Sequence, residues 1–142
     1  MRKPSLLFLA LLGACAGPLP RHDPQLAWVD LYAQPAHTLL AERLDGQVLR
    51  DGRFFQVPPG KHVLEVRYQY DVPSGGGALA MSDSFAQITC RVWLSYDSFV
   101  AGQRYRLELR PQLRKALALL TDANGQVVAR TNFQGRMDCG LF

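Results

Sequence analysis

The residues of this chain that could do chemistry are three histidines and three cysteines. His22, His37 and His62 lie on different segments, and no two of them have the close spacing of a zinc site such as H-x-x-x-H. We therefore expect no metal and no cofactor. His62 stands at the start of a segment with alternating apolar residues, and we expect it at the edge of the core, bonded to a backbone carbonyl.

A hydrolase signature is also missing from the sequence. There is no G-x-S-x-G motif that would place a serine nucleophile on a sharp turn. The stretch Ser74-Gly75-Gly76-Gly77 is glycine-rich, but it lacks the Lys-Ser/Thr that follows in a phosphate-binding loop. The sequence therefore predicts a protein that is not an enzyme.

The N-terminus has the three parts of a signal peptide. Arg2 and Lys3 supply positive charge, residues 6–12 form an apolar core, and Gly13 and Ala14 are small residues before a cysteine. The apolar core is far shorter than the roughly 20 residues that a membrane-spanning helix needs. We predict that residues 1–14 are a signal peptide; the alternative is an uncleaved apolar N-terminus with an incidental cysteine.

The stretch Leu12-Gly13-Ala14-Cys15 resembles the lipobox of bacterial lipoprotein precursors. The resemblance implies that Cys15 receives lipid, including an acyl chain such as palmitate, and becomes the first residue of the mature chain. Several acyl chains at about 0.8 kcal/mol per methylene would hold the protein on a bilayer. In Gram-negative lipoproteins, Ala16 rather than an aspartate after the cysteine implies the outer membrane, with the domain facing the periplasm.

Lipidation of Cys15 would leave Cys90 and Cys139 as an even pair in an oxidising compartment. We predict a disulfide between them, closing a loop of about 50 residues and stabilising the fold by about 4 kcal/mol on the loop-entropy estimate. The alternative is two unpaired buried thiols.

The mature chain is expected to contain a tether and one domain. Residues 15–25 carry Pro18, Pro20 and Pro24, which favour an extended tether that holds the domain off the membrane. Residues 26–142 suffice for one domain, and the 48% hydrophobic content argues against disorder. Without Arg2 and Lys3 the formal charge falls from +4 to +2, which is too small to imply nucleic acid.

Short segments with period-2 alternation and intervening turn signals predict an antiparallel sheet. The expected strands are 27–32, 39–44, 54–57, 61–70, 84–94, 103–110, 113–121 and 126–131. In 61–70, alternation predicts a core face with His62, Leu64, Val66, Tyr68 and Tyr70, and an opposite face with Lys61, Val63, Glu65, Arg67 and Gln69. Residues 113–121 could also form a helix by propensity, but Asp122-Ala123-Asn124-Gly125 is a hairpin signal that favours a strand. The predicted fold is all-β, a small antiparallel β-sandwich of about seven or eight strands.

The stretch Phe55-Gln56-Val57-Pro58-Pro59-Gly60-Lys61-His62-Val63-Leu64-Glu65-Val66 resembles PEGA-type and similar small envelope β-domains. Together with Leu44-Asp45-Gly46 before it and residues 99–107 after it, the stretch also resembles uncharacterised bacterial lipoproteins with the order D-G, P-G-x-H and A-G-x-x-Y-x-L. In those domains a strand leads to a proline-glycine turn, then to a basic residue and an alternating strand. The resemblance implies an immunoglobulin-like or transthyretin-like accessory domain. It implies no reaction, because a fold by itself does not specify one.

Two features could contact a partner. The glycine-rich loop predicted at 71–84 includes Asp71, Ser74, Gly75, Gly76 and Gly77, and it reads as a solvated hairpin tip or as an adaptable contact loop. Trp93 is expected on the face opposite Cys90, as an exposed anchor or covered by a loop.

These observations predict an outer-membrane-anchored lipoprotein that acts as a non-enzymatic envelope accessory or binding module. Its partner would be an envelope protein or a peptidoglycan-associated component. The alternative is a periplasmic inhibitor of a hydrolase, or a small-ligand-binding module.

Overall fold

The computed structural model describes residues 17–75, 84–131 and 136–141. The described residues form ten strands: β1 (Ala27–Ala33), β2 (Thr38–Leu44), β3 (Gln47–Val48), β4 (Phe54–Val57), β5 (Gly60–Pro73), β6 (Phe85–Phe99), β7 (Arg104–Gln112), β8 (Lys115–Thr121), β9 (Val127–Arg130) and β10 (Met137–Leu141). In this part of the chain no helix is long and apolar enough to cross a membrane.

The strands form two sheets packed face to face. Sheet A has the order β4-β1-β7-β8-β9, and sheet B has the order β10-β6-β5-β2-β3. Neighbouring strands are antiparallel except β1 and β7, which are parallel. The all-β sandwich predicted from the sequence is confirmed, with ten strands in the described residues rather than seven or eight.

The core is made by the alternating side chains of both sheets. On β5, Leu64, Val66, Tyr68 and Tyr70 are buried on the face predicted from the sequence. They meet a second buried set from sheet A, which consists of Val29, Phe55, Val57, Leu107, Leu109, Ala118 and Leu120. Burying large apolar side chains at about 25 cal/mol per Å² is the main stabilising contribution of such a layer.

Two of the predicted turns have the backbone angles that their residues favour. Asp45 and Gly46 have φ of 51° and 83°, and positive values at both central residues define the type I′ hairpin that joins β2 to β3. Gly60, after the two prolines, has φ of 103°. Residues 113–121 contain β8 and no helix, because β8 pairs with both β7 and β9.

Two tyrosines of β5 connect sheet B to the other sheet and its loops. The Tyr70 hydroxyl lies 2.7 Å from the Leu113 carbonyl oxygen and 2.8 Å from that of Lys115, in the turn between β7 and β8. The Tyr68 hydroxyl lies 2.6 Å from Nδ1 of His37, in the loop between β1 and β2. Burial, followed by the neighbouring Tyr70, raises the pKa of Tyr68 to about 12, so its hydroxyl stays protonated.

The last strand is joined covalently to sheet B. Cys139 of β10 lies directly opposite Cys90 of β6, with their Cα atoms 4.0 Å apart, and the two form a disulfide. Cys90 is fully buried, and Cys139 packs against the same core. The predicted pairing is therefore present, and it ties the C-terminal strand to the centre of the sandwich.

Replacing both bridged cysteines by serine is expected to lower the free energy of unfolding by about 4 kcal/mol, because the bridge closes a 49-residue separation in the unfolded chain. Urea denaturation of the double variant measures this change. Thiol labelling of the denatured, unreduced native protein should find both cysteines blocked. An unchanged urea midpoint, or full labelling of both, would contradict the prediction.

Tyr70→Phe should cost about 1 kcal/mol or more, because it removes the hydroxyl that donates to the β7–β8 turn. Tyr32→Phe is the matched control, since Tyr32 is 41% exposed. Thermal unfolding of both variants provides the measurement, and an equal effect would show that the Tyr70 hydroxyl does not stabilise the sandwich.

Candidate binding surface

The outer face of sheet B carries a charged groove of about 370 Å³ beside β2 and β3. Its charged side chains are Glu42, Arg43, Glu65, Arg67 and Arg91. We call this feature the sheet B groove. It lies on the face of β5 that the sequence predicted to point away from the core.

Strand register brings the groove residues together. Glu65 of β5 lies opposite Arg43 of β2 on one side and opposite Trp93 of β6 on the other. Arg67 lies opposite Arg91. Because side chains directly opposite each other on one face are about 5 Å apart at Cβ, these charges and the indole ring form one continuous surface.

An irregularity in β2 places Glu42 and Arg43, two consecutive residues, at the groove. The register shifts between Ala41 and Arg43, so that Ala41 is buried while Glu42 reaches Arg67, with Oε1 3.1 Å from Nε. This contact is an ion pair without an aligned hydrogen bond, since the Arg67 Nε–H has no hydrogen-bond partner. In a regular strand Glu42 would lie opposite Glu65, and Arg43 would face the core opposite Leu64. The shift instead places Arg43 opposite Glu65 on the outer face.

The loop after β3 folds onto the shifted segment of β2. The Ala41 amide donates to the Gly52 carbonyl at 2.8 Å. A Cβ at position 52 would lie 3.2 Å from the Ala41 carbonyl oxygen, so a side chain there would push the loop outward. Glycine at this position allows the close approach that forms the wall of the groove.

Glu65 is the most unusual residue of the surface. It is only 6% exposed although it is charged and faces away from the core. Burying a carboxylate is costly unless cations lie close to it, and the groove supplies arginines on the neighbouring strands. Glu65 is thus held between Arg43 of β2 and Trp93 of β6.

Trp93 stands beside the groove and is half-buried. Its backbone amide donates to the Arg136 carbonyl at 3.0 Å, and the Arg136 guanidinium lies 5.4 Å from the ring centroid. The residue is therefore not fully exposed, and Arg136, in the segment before β10, lies against its ring. An indole ring flanked by arginines has the composition of a protein-contact anchor.

The predicted contact loop is separate from Trp93. Asp71 lies within β5 rather than in a loop, opposite Gln87, because the β5–β6 hairpin continues to the pair Pro73 and Phe85. Ser74 and Ser84 close the base of the loop through their hydroxyls, which are 2.8 Å apart. Gly75 is exposed beyond them, and the predicted residues Gly76 and Gly77 lie outside the described residues.

The distance along the hairpin keeps these two features apart. Trp93 pairs with Glu65, and the last pair before the loop is Pro73 with Phe85, eight positions further along. At about 3.4 Å per residue this is about 27 Å. One small partner group could not touch both, so the structure supports two separate surfaces.

Each histidine has its own local partner. His22 Nε2 donates to the Leu26 carbonyl at 2.7 Å, and His37 contacts Tyr68. His62 Nδ1 lies 2.5 Å from Oδ2 of Asp45, while the Pro59 carbonyl is 3.4 Å from its other nitrogen. His62 therefore has the backbone carbonyl partner expected from the sequence, and the type I′ turn adds a carboxylate that was not expected. Within the described ranges, no three potential metal ligands cluster.

Sequence reasoning missed Glu42, Arg43 and Glu65 as parts of a site. The alternation of β5 did place Glu65 and Arg67 on its outer face, which was the available signal. Cys15, the predicted lipidation site, lies outside the described residues. Comparison with known proteins gave no matching family model, no matching curated protein and no matching solved structure.

The Asp45–His62 contact should give the fold a dependence on acidic pH. Burial raises the pKa of Asp45, but hydrogen bonds from His62 and the Val63 amide lower it further than burial raises it, to below 3.8. A carboxyl group with a lowered folded-state pKa stabilises the fold above its unfolded pKa and loses that effect as the pH falls through the folded value.

We therefore expect Asp45→Asn to lower the urea midpoint at neutral pH and to have little effect well below pH 4. Asp97→Asn is the control, because the Asp97 side chain is 74% exposed and lies 3.5 Å from Lys61. A difference between Asp45→Asn and the native protein that stays constant with pH would refute the role of this carboxylate.

Proposed function

We propose that this protein is an outer-membrane-anchored lipoprotein whose β-sandwich acts as a non-enzymatic binding module of the cell envelope. The observation that carries the proposal is the Cys90–Cys139 bridge. It accounts for two of the three cysteines, and the third is Cys15, directly behind the signal-peptide pattern. A disulfide-bonded pair is typical of exported proteins, which fold in an oxidising compartment. The lipobox resemblance implies the same compartment.

Binding is proposed to use the sheet B groove together with Trp93. Tryptophan and arginine are enriched among residues that carry interface energy. The half-buried Glu42 and the buried Glu65 add polar groups that can select a partner by charge. The partner would be an envelope protein or a peptidoglycan-associated component that offers both acidic and basic groups.

A non-enzymatic role agrees with the contacts of the candidate catalytic groups. The three histidines are engaged with a backbone carbonyl, a tyrosine hydroxyl and a carboxylate on three separate parts of the fold. A nucleophile and its base must lie within hydrogen-bond reach of each other. These histidine contacts favour structural roles.

A second candidate, a small-ligand-binding module, is favoured by a cavity of about 500 Å³ near β8, β9 and β10. Its lining includes Ala116, Met137 and Cys139, with Arg114 and Arg130 contributing positive charge. This volume lies within the range of ligand pockets, and the lining fits an apolar ligand with an acidic group. Ligand-observed NMR with a medium-chain fatty acid tests this candidate.

Cross-linking in intact bacterial envelopes, followed by recovery through a C-terminal tag, tests the binding module. The native chain should capture a stoichiometric partner, and Cys15→Ser should lose it because the protein leaves the membrane. Trp93→Ala should weaken capture about tenfold or more. Tyr32→Ala, on the outer face of sheet A, should not. Equal loss in both tryptophan and tyrosine variants, or no partner with the native chain, would contradict the proposal.

A further inference from the structure

The segment before β1 lies against the domain rather than extending from it. The Arg53 guanidinium donates to the Gly17 carbonyl at 2.9 Å. The Asp23 amide lies 3.4 Å from the side-chain oxygen of Gln56 on β4. Between these points, residues 17–25 follow the outer side of sheet A at its β4 edge.

Aromatic packing holds the middle of this segment. The His22 ring lies 5.8 Å from that of Trp28, which stacks on Phe54 with centroids 4.3 Å apart. Trp28 is only 3% exposed although it faces away from the core, and its indole N–H donates to Asp30 at 2.7 Å. Arg104 completes the cluster, at 3.1 Å from the Asp30 carboxylate. The segment therefore covers a surface that would otherwise expose a tryptophan.

The docked segment fixes where a lipid on Cys15 would leave the domain. Cys15 stands two positions before Gly17, and two residue steps span at most about 7 Å. This is similar to the headgroup layer of a bilayer, which is about 5–8 Å on each side of the hydrocarbon. A free chain from position 17 to position 26 could instead span about 30 Å. Docking thus shortens the tether to roughly the depth of the headgroups.

The surface around Gly17 has a composition that suits a lipid headgroup layer. We define the β3–β4 edge as residues 17–21 and 47–53 together with Arg43, which pairs with Val48. Leu19 and Val48 are exposed apolar side chains, at 56% and 73%. Arg21, Arg43, Arg50 and Arg53 are exposed basic side chains.

Nearby carboxylates neutralise only part of the positive charge of this edge. Asp51 pairs with Arg53, and two further acids have partners of their own, Glu42 with Arg67 and Asp45 with His62. Among the described residues, Arg21, Arg43 and Arg50 make no ion pair. A basic group near an anionic membrane surface contributes about 1 kcal/mol of attraction.

From these contacts we propose that the docked N-terminal segment orients the domain, with the β3–β4 edge lying on the headgroups of the leaflet that holds the Cys15 lipid. The occupant of this surface is the bilayer itself. The inference rests on the proposed lipidation of Cys15. It replaces the expected spacer with a short clamp that gives the sandwich one preferred side toward the membrane.

The test uses the full lipidated chain reconstituted in vesicles of phosphatidylethanolamine and phosphatidylglycerol that contain a headgroup spin label. Val48→Cys and Val127→Cys carry the same fluorescent probe, attached without reduction so that the native bridge stays closed. Val127 is a matched control, since it is 45% exposed on β9 at the opposite edge of sheet A from β4. Four strand spacings separate those edges, about 19 Å.

The probe at position 48 should be quenched several-fold more strongly than the probe at position 127. Adding Arg53→Ala should reduce the quenching at position 48, because Gly17 loses its contact, while the matched Arg130→Ala on β9 should leave it unchanged. Equal quenching at the two probe positions would overturn the orientation. Undiminished quenching with Arg53→Ala would overturn the clamp.

Flotation of the same samples with the vesicles tests the lipid anchor on Cys15 separately from the orientation of the domain. A chain that does not float with vesicles and carries no lipid by mass spectrometry removes both the anchor and the orientation. A chain that floats but shows equal quenching at the two probe positions would support the anchor and contradict only the orientation.

Discussion

The register between β5 and β6 is the constraint on which most of the molecule depends. These strands pair from Gly60 and Phe99 to Pro73 and Phe85. Because side chains alternate, a slip of β6 by one residue along β5 would turn Cys90 out of the core and bring Trp93 into it. The core, the disulfide position and the charged groove are therefore consequences of one pairing.

The two faces of the β5–β6 hairpin make different contacts. On the inner face, Tyr68 and Tyr70 reach loops at the ends of sheet A, and Cys90 holds the last strand. On the outer face, Glu65 and Arg67 meet residues from β2 and β6. The packed inner face holds β5 in position, and this keeps the Glu65 carboxylate buried on the outer face. Burying a carboxylate costs desolvation free energy unless polar or charged groups are held close to it.

The proposed anchor and the proposed binding surface lie close to each other. The sheet B groove includes Val48 and Gly52, which also belong to the β3–β4 edge. Under both proposals, a partner in the groove would sit next to the headgroups rather than far into the periplasm. The lipid would then confine the groove to the membrane surface, and this confinement would raise the effective concentration of membrane-bound partners.

Local sequence patterns determined the strand-rich fold, the main turns and the inward side of β5. Alternation, hairpin signals such as Asp45-Gly46, and the choice of a strand for residues 113–121 depend on interactions between neighbours in the chain, and these were predictable. The cysteine pairing was also predictable, because the lipobox resemblance left an even number. The length of the β5–β6 hairpin was underestimated, so Asp71 was assigned to a loop.

The tertiary structure alone decided the features that join distant segments. Three features depend on partners far away in the sequence: the parallel pairing of β1 with β7, the short strands β3 and β10, and the shift in β2 that brings Arg43 opposite Glu65. The prolines of residues 15–25 predicted an extended tether, but they could not show that Trp28, Gln56 and Arg53 would contact residues 17–23. Such contacts form only after the sheets bring their residues together, so no local pattern records them.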